Sequence, residues 1–362
     1  MIRSEAPGVV LGMSGGVDSS TAAWTLSERG FRVVGVTLRF YCYARAAGAP
    51  RACCSEVSLR RARALASRLG IEHRVIDAER EFREAVVANF LDEYRRGRTP
   101  NPCIVCNERV KFPALARVAD LLGFRFIATG HYARLERGTG GKIFLAAAAD
   151  AAKDQSYFLY RVPVKLLERT LFPLGGMSKS EVKRVAVALD LPAAGARESQ
   201  DVCFLPEGNL GTFLSERLEA APGEVVDRSG RVLGTHEGVF HYTIGQRKGF
   251  GIAGGVPLYV GEIEAAERRI VLEPKPRLFH RTAVCANVKL RVADLGGELA
   301  GRVRYRRPLA EVERVERAPG RLRVLFREPQ WAITPGQSLV LYRGGLVVGG
   351  GIVERGWAGD HR

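Results

Sequence analysis

Residues 11–20 read LGMSGGVDSS, a glycine pair between a short apolar run and a helix-like run. The residues before it, GVVLGMS, read as a strand. Those after it, DSSTAAWTLSERG, read as a helix that stops at Gly30. A turn from strand end to helix start is where open α/β sheets bind ligands. Gly15 and Gly16 let the backbone curl so that N–H groups face an anion, and the helix N-terminus adds partial positive charge. Ser14, Ser19 and Ser20 offer hydroxyls. The string lacks the Gly-Lys-Ser/Thr of a Walker loop and the Gly-x-Gly-x-x-Gly of a dinucleotide site. The plainer reading is a glycine turn with Asp18 capping the helix.

Outward from this turn the chain alternates strand and helix. FRVVGVTLRF, EHRVID and FRFIATGHY read as strands. SEVSLRRARALASRLG, EREFREAVVANFLDEYRRG, FPALARVADLLG and SKSEVKRVAVALD read as helices, the last with Ser178 and Glu181 spaced as a capping box. This alternation predicts an α/β domain with a Rossmann-like parallel sheet and right-handed crossovers. After about residue 207 the pattern becomes glycine-rich short strands, then a proline-interrupted stretch, EPKPRLFH, read as a linker. From about 277 the strings RVRYRR, RLRVLFREP, SLVLYRGG and LVVGGGIVE read as short strands of a small barrel. The expected division is 1–207, a small middle domain at 208–276, and a C-terminal β-barrel domain at 277–362.

The chain has 362 residues and a formal net charge of +16. That excess favours a polyanionic partner, nucleic acid before membrane surface. An arginine-favouring genome is the plainer source of the charge. No apolar run reaches the roughly 18 residues of a bilayer span, and MIRSEAPGVVLG is too short in apolar residues for a signal peptide. The expectation is a cytoplasmic protein without a membrane partner.

Seven cysteines, Cys42, Cys53, Cys54, Cys103, Cys106, Cys203 and Cys285, do not read as a secreted disulfide framework. Cys285 reads as a small core hydrophobe. Cys42, Cys53 and Cys54 read as packing near a helix entry. Cys103 and Cys106 form a Cys-x-x-Cys pair, a spacing shared by metal, redox and structural uses, but no second pair supplies a structural zinc site.

SGGVDSS resembles the pyrophosphatase loop (PP-loop) of the N-type ATP pyrophosphatases, which cleave ATP between the α- and β-phosphates. Further strings occur in order: GRTPNPCIVCNERVKF, ATGHYAR, KDQSYFLY, SQDVCF, HYTIGQRKG and TPGQ. Together they resemble the tRNA-specific 2-thiouridylase family, which replaces the C2 oxygen of the tRNA wobble uridine, position 34, with sulfur.

The resemblance implies an ATP site of Gly12, Met13, Ser14, Gly15, Gly16, Val17, Asp18 and Ser19, with Leu38 and Gly130, and Mg2+ near Asp18. It implies Cys106 as the nucleophile and Cys203 as persulfide carrier, the two forming a transient disulfide. Asn101, Pro102 and Cys103 would meet the target base. Lys153, Asp154, Gln155, His131, Arg304, Tyr305 and Gln337 would contact tRNA. The implied partners are tRNAs of the Lys, Glu and Gln acceptors and a sulfur donor such as a cysteine desulfurase or relay protein. One departure stands out: Cys103 occupies a position that is often aspartate. Three thiolates, Cys103, Cys106 and Cys203, would suit a 4Fe–4S cluster with an open iron site.

Read as residues, RVRYRR in period 2 would put Arg302, Arg304 and Arg306 on one strand face as a phosphate contact. A flipped wobble base fits the proline-stiffened TPNP. Two other functions stay open. One is a PP-loop synthetase or amidotransferase acting on a small molecule. The other is a metal-binding RNA module without catalysis.

Overall fold

The computed structural model describes residues 6–41, 56–191, 202–205, 210–250 and 256–357. The chain divides into two compact units. The first comprises Met1–Val86, Cys103–Asn209 and Gly345–Val347; the second comprises Val87–Pro102, Leu210–Gly344 and Val348–Arg362.

The first unit is built on strands β1 (Gly8–Gly12), β2 (Arg32–Arg39), β3 (Glu72–Asp77) and β4 (Phe126–Thr129), a hairpin of β5 (Arg134–Arg137) and β6 (Ile143–Ala146), and the short β7 (Thr170–Leu171). The main sheet runs β3-β2-β1-β4-β7, with every pairing parallel. Val9, Val10 and Leu11 are wholly buried, as a central parallel strand covered on both faces requires. β3 closes one edge and is blunted by exposed Glu72 and Arg74. The sequence leaves β1 toward β2 on one side and has β4 on the other. The loop after β1 therefore opens at the sheet's switch point.

The helices Val17–Glu28, Glu56–Leu69, Phe112–Leu121 and Lys179–Ala188 fall where the periodicity places them. Gly30 and Gly70 take positive φ just past two of them. The run 79–95 is not one α-helix: a π-helical turn, Arg83–Val87, interrupts it. A second π-turn, Asn107–Lys111, follows the short helix Pro102–Cys106.

The second unit holds strands β8 (Gly223–Asp227), β9 (Val232–His236), β10 (Leu258–Glu264) and β11 (Arg269–Pro274) in a sheet ordered β10-β11-β8-β9. Beyond it come β12 (Phe279–Leu290), β13 (Leu299–Arg302), β14 (Ala310–Ala318), β15 (Arg321–Trp331), β16 (Ser338–Arg343) and β17 (Leu346–Trp357). Pairing of β12 with both β15 and β17 closes these six into a barrel. Cys285 is wholly buried among Val324, Phe326 and Leu339, and burial pushes its thiol pKa up, as a core cysteine requires.

Two sequence expectations change here. EPKPRLFH is not a free linker: Lys275–Leu278 is a 3₁₀ turn that buries Leu278 between β11 and β12. RVRYRR is not a strand either. β13 ends at Arg302, and Arg307 N–H donates to the Arg304 carbonyl in a tight turn. Pro308 lies just beyond and has no N–H for a ladder. Arg302 lies 5.7 Å from the Tyr342 ring, whereas Arg304, Arg306 and Arg307 are exposed on the turn.

Candidate functional site

The loop after β1 is fixed by its own residues. Gly15 sits at φ +72°, and a Cβ there would fall 2.1 Å from the Ser58 carbonyl oxygen, so the position admits only glycine. Gly16 precedes the helix in an extended conformation and makes no side-chain cap. Ser19, inside the helix, ties the loop back to it: its hydroxyl donates to Gly16 O at 3.1 Å and accepts from Ser14 N at 3.2 Å. Met13 N–H donates to Val36 O at 2.8 Å, and Thr37 Oγ1 donates to Met13 O at 2.8 Å. At Gly130, past the end of β4, a Cβ would lie 3.0 Å from Ser19 N. At Gly15 and Gly130 backbone thus comes close to backbone around a helix N-terminus, a geometry suited to phosphate. Leu38 is buried near the end of β2.

Asp18 does not cap the helix: it lies one residue inside it, after Val17. Its Oδ1 accepts from Lys179 Nζ at 2.6 Å and from the Tyr132 hydroxyl at 2.8 Å. Lys179 is the first residue of its helix, where a cation opposes the helix dipole. The pairing with Asp18, and an Asp150 carboxylate that accepts from Lys179 N at 2.9 Å, offset that cost. Ser178 and Glu181 form the expected capping box, worth roughly 1 kcal/mol. Neither Lys179 nor Tyr132 stood out in the sequence. Both lay inside strings that had been read for another purpose, a helix start and a histidine.

KDQSY holds that constellation. Gln155 Oε1 accepts from Tyr132 N at 2.9 Å, and Gln155 N donates to Tyr132 O at 2.7 Å. Asp154 is buried and accepts from Ala148 N, Ser156 N and Ser156 Oγ at 3.0–3.1 Å. Lys153 remains half-buried beside them.

Cys103 and Cys106 share one helical turn, with Pro102 at its start. Cys106 is buried, whereas Cys103 is exposed. The surrounding protein raises the Cys103 thiol pKa, and the Lys111 charge opposes that rise. His131 stacks on Phe112 with ring centroids 6.0 Å apart, and its Nδ1 lies 2.8 Å from Thr129 Oγ1. Burial, aided by Lys111, holds its pKa well below the usual imidazole range, so it is neutral at pH 7. Cys203 is half-buried in a short turn whose Phe204 packs edge-on against Phe82 at 5.5 Å. Ser199, Gln200 and Asp201, like Cys42, Cys53 and Cys54, lie outside the described residues.

Among the described residues, no three Cys, His, Asp or Glu side chains are grouped to hold a metal. None of Cys103, Cys106 and Cys203 is in a disulfide. As placed, they do not form a cluster cradle, and no chemical step is routed through one. Asp18, in contrast, fits the usual binding of Mg2+, through one or two carboxylates plus nucleotide phosphates.

In the second unit, TPNP is gripped from far along the chain. Gln337 is buried and donates to Thr99 O at 2.8 Å. Thr99 N donates to Pro335 O at 2.9 Å, and Thr99 Oγ1 donates to Thr243 Oγ1 at 3.1 Å. Gly336, at φ +88°, has no room for a Cβ against the Thr99 backbone. Asn101 follows, half-buried, then buried Pro102. Buried Tyr94 has its phenol pKa pushed up to about 12, an effect the nearby charge of Arg304 opposes. Tyr305 is half-buried on the same turn as Arg304.

A family model described as the tRNA methyl transferase HUP domain matches residues 7–207. Models described as the tRNA methyl transferase PRC-barrel domain and the aminomethyltransferase beta-barrel domain match 211–273 and 286–353. Full-length relatives are named tRNA-specific 2-thiouridylase MnmA. One from Geobacter metallireducens is 43% identical over 96% of each chain. One from Rhizorhabdus wittichii is 42% identical over 98% of this chain and 94% of its own. Among solved structures, a 4-thiouridine synthetase–RNA complex with bound ATP is 20% identical, with a TM-score of 0.34, over 56% of this chain and 46% of its own. That likeness is too weak to bear on the site.

Proposed function

Because the chain belongs to the tRNA-specific 2-thiouridylase family, we propose that its two candidate loops act in sequence on the wobble uridine of tRNA. The enzyme is a tRNA sulfurtransferase that uses ATP to exchange the uridine C2 oxygen for sulfur. The observation that carries the assignment of roles is Asp18, set in the first turn of a helix between Lys179 and Tyr132, beside a loop where Gly15 has no room for a side chain.

In the first step the phosphates of ATP rest on the N–H groups of Gly12–Ser19. Bound Mg2+, held by Asp18, would supply charge neutralisation at the β-phosphate. The uridine O2 attacks the α-phosphorus, the bond to the β-phosphate oxygen breaks, pyrophosphate leaves, and N3 loses its proton to solvent. This turns an unreactive carbonyl oxygen into the oxygen of an AMP leaving group. In the second step the terminal sulfur of a Cys203 persulfide attacks C2, and AMP departs with the electron pair of the C2–O bond. Cys106 then attacks the Cys203 sulfur, forming a Cys106–Cys203 disulfide and releasing the thiocarbonyl. An external thiol reduces the disulfide, and a donor of persulfide sulfur recharges Cys203.

Asn101, Pro102 and Cys103 receive the flipped base, and the exposed turn with Arg304 and Tyr305 meets the tRNA backbone. Lys153 and His131 contact the RNA, while Asp154 and Gln155 order the segment around Tyr132 and Gln337 holds Thr99. The tRNAs are those with a thiolatable wobble uridine, the Lys, Glu and Gln acceptors. Among the described residues no helix is long and apolar enough to cross a membrane, and the substrate places the work in the cytoplasm. The three-part division at 207 and 276 assigns ATP chemistry and sulfur transfer to the first part, with tRNA contacts there and in the other two.

The test is pyrophosphate release with and without tRNA, followed by nucleoside mass analysis of the product. tRNA-dependent release and 2-thiouridine are expected. Release with a small acid alone would favour a small-molecule synthetase instead. Thiolation should persist with iron rigorously removed and persulfide supplied; its loss would restore the 4Fe–4S reading of the three thiols.

A further inference from the structure

Lys111 is half-buried, yet it has neither a hydrogen bond nor an ion pair among the described residues. Partly burying an ammonium without a counter-charge is costly, so such a group marks a place where an anion arrives. Its neighbours say where that place is. Lys111 ends the π-turn Asn107–Lys111 that follows the cysteine helix. In an unbroken α-helix a residue eight positions on would point about 80° away from Cys103. A π-turn absorbs one extra residue. Lys111 then takes the angular place of a seventh residue, within about 20° of Cys103 on the same helix face. Helical side chains lean toward the N-terminus, so the long Lys111 stem runs back toward the thiol.

The next residue, Phe112, is the platform on which His131 stacks. Phe172 meets the same histidine edge-on at 6.4 Å. Cys103 and His131 both lie close enough to Lys111 to feel its charge. His131 is neutral, and its Nδ1 is engaged by Thr129. Glu108, the carboxylate on the same π-turn, is already held by Arg161 at 2.7 Å. Among the described residues, Lys111 is therefore a positive charge with no carboxylate paired to it.

We propose that Lys111 binds the phosphate of the adenylylated uridine and stabilises AMP as it leaves C2. The proposal rests on the sulfurtransferase reading above. The phosphodiester joins the base at O2, so it must lie within a few ångströms of the carbon under attack. Sulfur delivered beside Cys103 therefore meets that carbon with the phosphate next to it. As the C2–O bond breaks, AMP takes the electron pair and gains charge, and a fixed ammonium there favours departure. A phosphate of the tRNA backbone offers the same chemistry, and the experiment separates the two.

Full-length enzyme with Lys111→Met keeps the stem and removes the charge, and Lys111→Arg keeps the charge. Each is mixed in single turnover with tRNA, persulfide donor and ATP labelled at the α-phosphate, then quenched in acid. In Lys111→Met, labelled tRNA should accumulate and the thiolation rate should fall on the order of 10²-fold. Its affinity for tRNA should stay within about twofold, and Lys111→Arg should recover most of the rate, which a merely structural role would not give. Unchanged thiolation by Lys111→Met overturns the proposal. So does a loss of tRNA affinity with a salt slope shallower by about one charge, the mark of a backbone phosphate. If the unaltered enzyme releases no pyrophosphate with tRNA, the sulfurtransferase reading fails instead.

Discussion

The loop at 12–19 and the loop at 99–106 both offer a rigid surface to a ligand, but they are made rigid by different means. In the first, the bonds within the loop join residues three to five apart, Ser19 to Gly16 and to Ser14, and the adjacent strand adds Val36 and Thr37 on Met13. In the second, the grip comes from Gln337, 238 residues away from Thr99, and from Thr243. Local bonds cost little loop-closure entropy, so a short string can specify them. A remote grip needs the whole barrel to fold first. The first loop should be intolerant of its own substitutions. The second should also be sensitive to changes far from it.

The largest effect expected is at Cys106. Cys106→Ser should abolish 2-thiouridine formation while tRNA-dependent pyrophosphate release continues, separating the chemistry of the two loops. Loss of both activities would show that they are not separable. Next, Asp18→Ala should lower pyrophosphate release by roughly 10²–10³-fold and leave tRNA affinity within about twofold in a filter-binding assay. Equal loss of affinity would remove Asp18 from ATP chemistry.

A smaller effect tests the remote grip. Gln337→Leu leaves the carbonyls of Thr99 and Pro100 without their donor, at a cost of about 1–3 kcal/mol. Thiolation should slow about tenfold while tRNA-free ATP binding is unchanged. An unaffected thiolation rate would mean that TPNP stands without TPGQ. Arg304→Ala should reduce the salt slope of tRNA binding by somewhat under one unit; an unaltered slope would take the exposed turn out of the RNA contact.

The smallest effect concerns pH. Burial lowers the pKa of His131, so the unfolded chain takes up a proton that the folded chain refuses. The stability this residue allows is fully present above the ordinary imidazole pKa and is lost as pH falls below it. His131→Gln should therefore lose less stability between pH 7 and pH 5 than the parent does in urea titrations. His73 and His236, also lowered by burial, keep the remaining slope from vanishing.

The two loops also differ in how much of each was legible. SGGVDSS carried its own context: strand before, helix after, and glycines where backbone must approach closely. The partners of Asp18 were not legible, since Lys179 lies 161 residues away and reads locally as an ordinary surface lysine. At the barrel, period-2 arginines suggested a strand face at 302–306. The bend before Pro308 prevailed, because alternation says nothing about where the ladder stops. Cys285 was legible because a cysteine set apart from the others usually behaves as a small core hydrophobe.

Local physics explains what the sequence determined by itself: the parallel α/β core, the later β-rich region, the phosphate-type turn and the capping box. Each depends on residues within a few positions of one another, where periodicity, φ preference and caps act directly. Tertiary structure decided which distant groups answer them. It set Lys179 and Tyr132 on Asp18, held TPNP by Gln337 and Thr243, and turned Lys111 toward the cysteine face through a π-turn. A buried or half-buried charge gains its meaning from what lies within a few ångströms, and sequence distance does not record that.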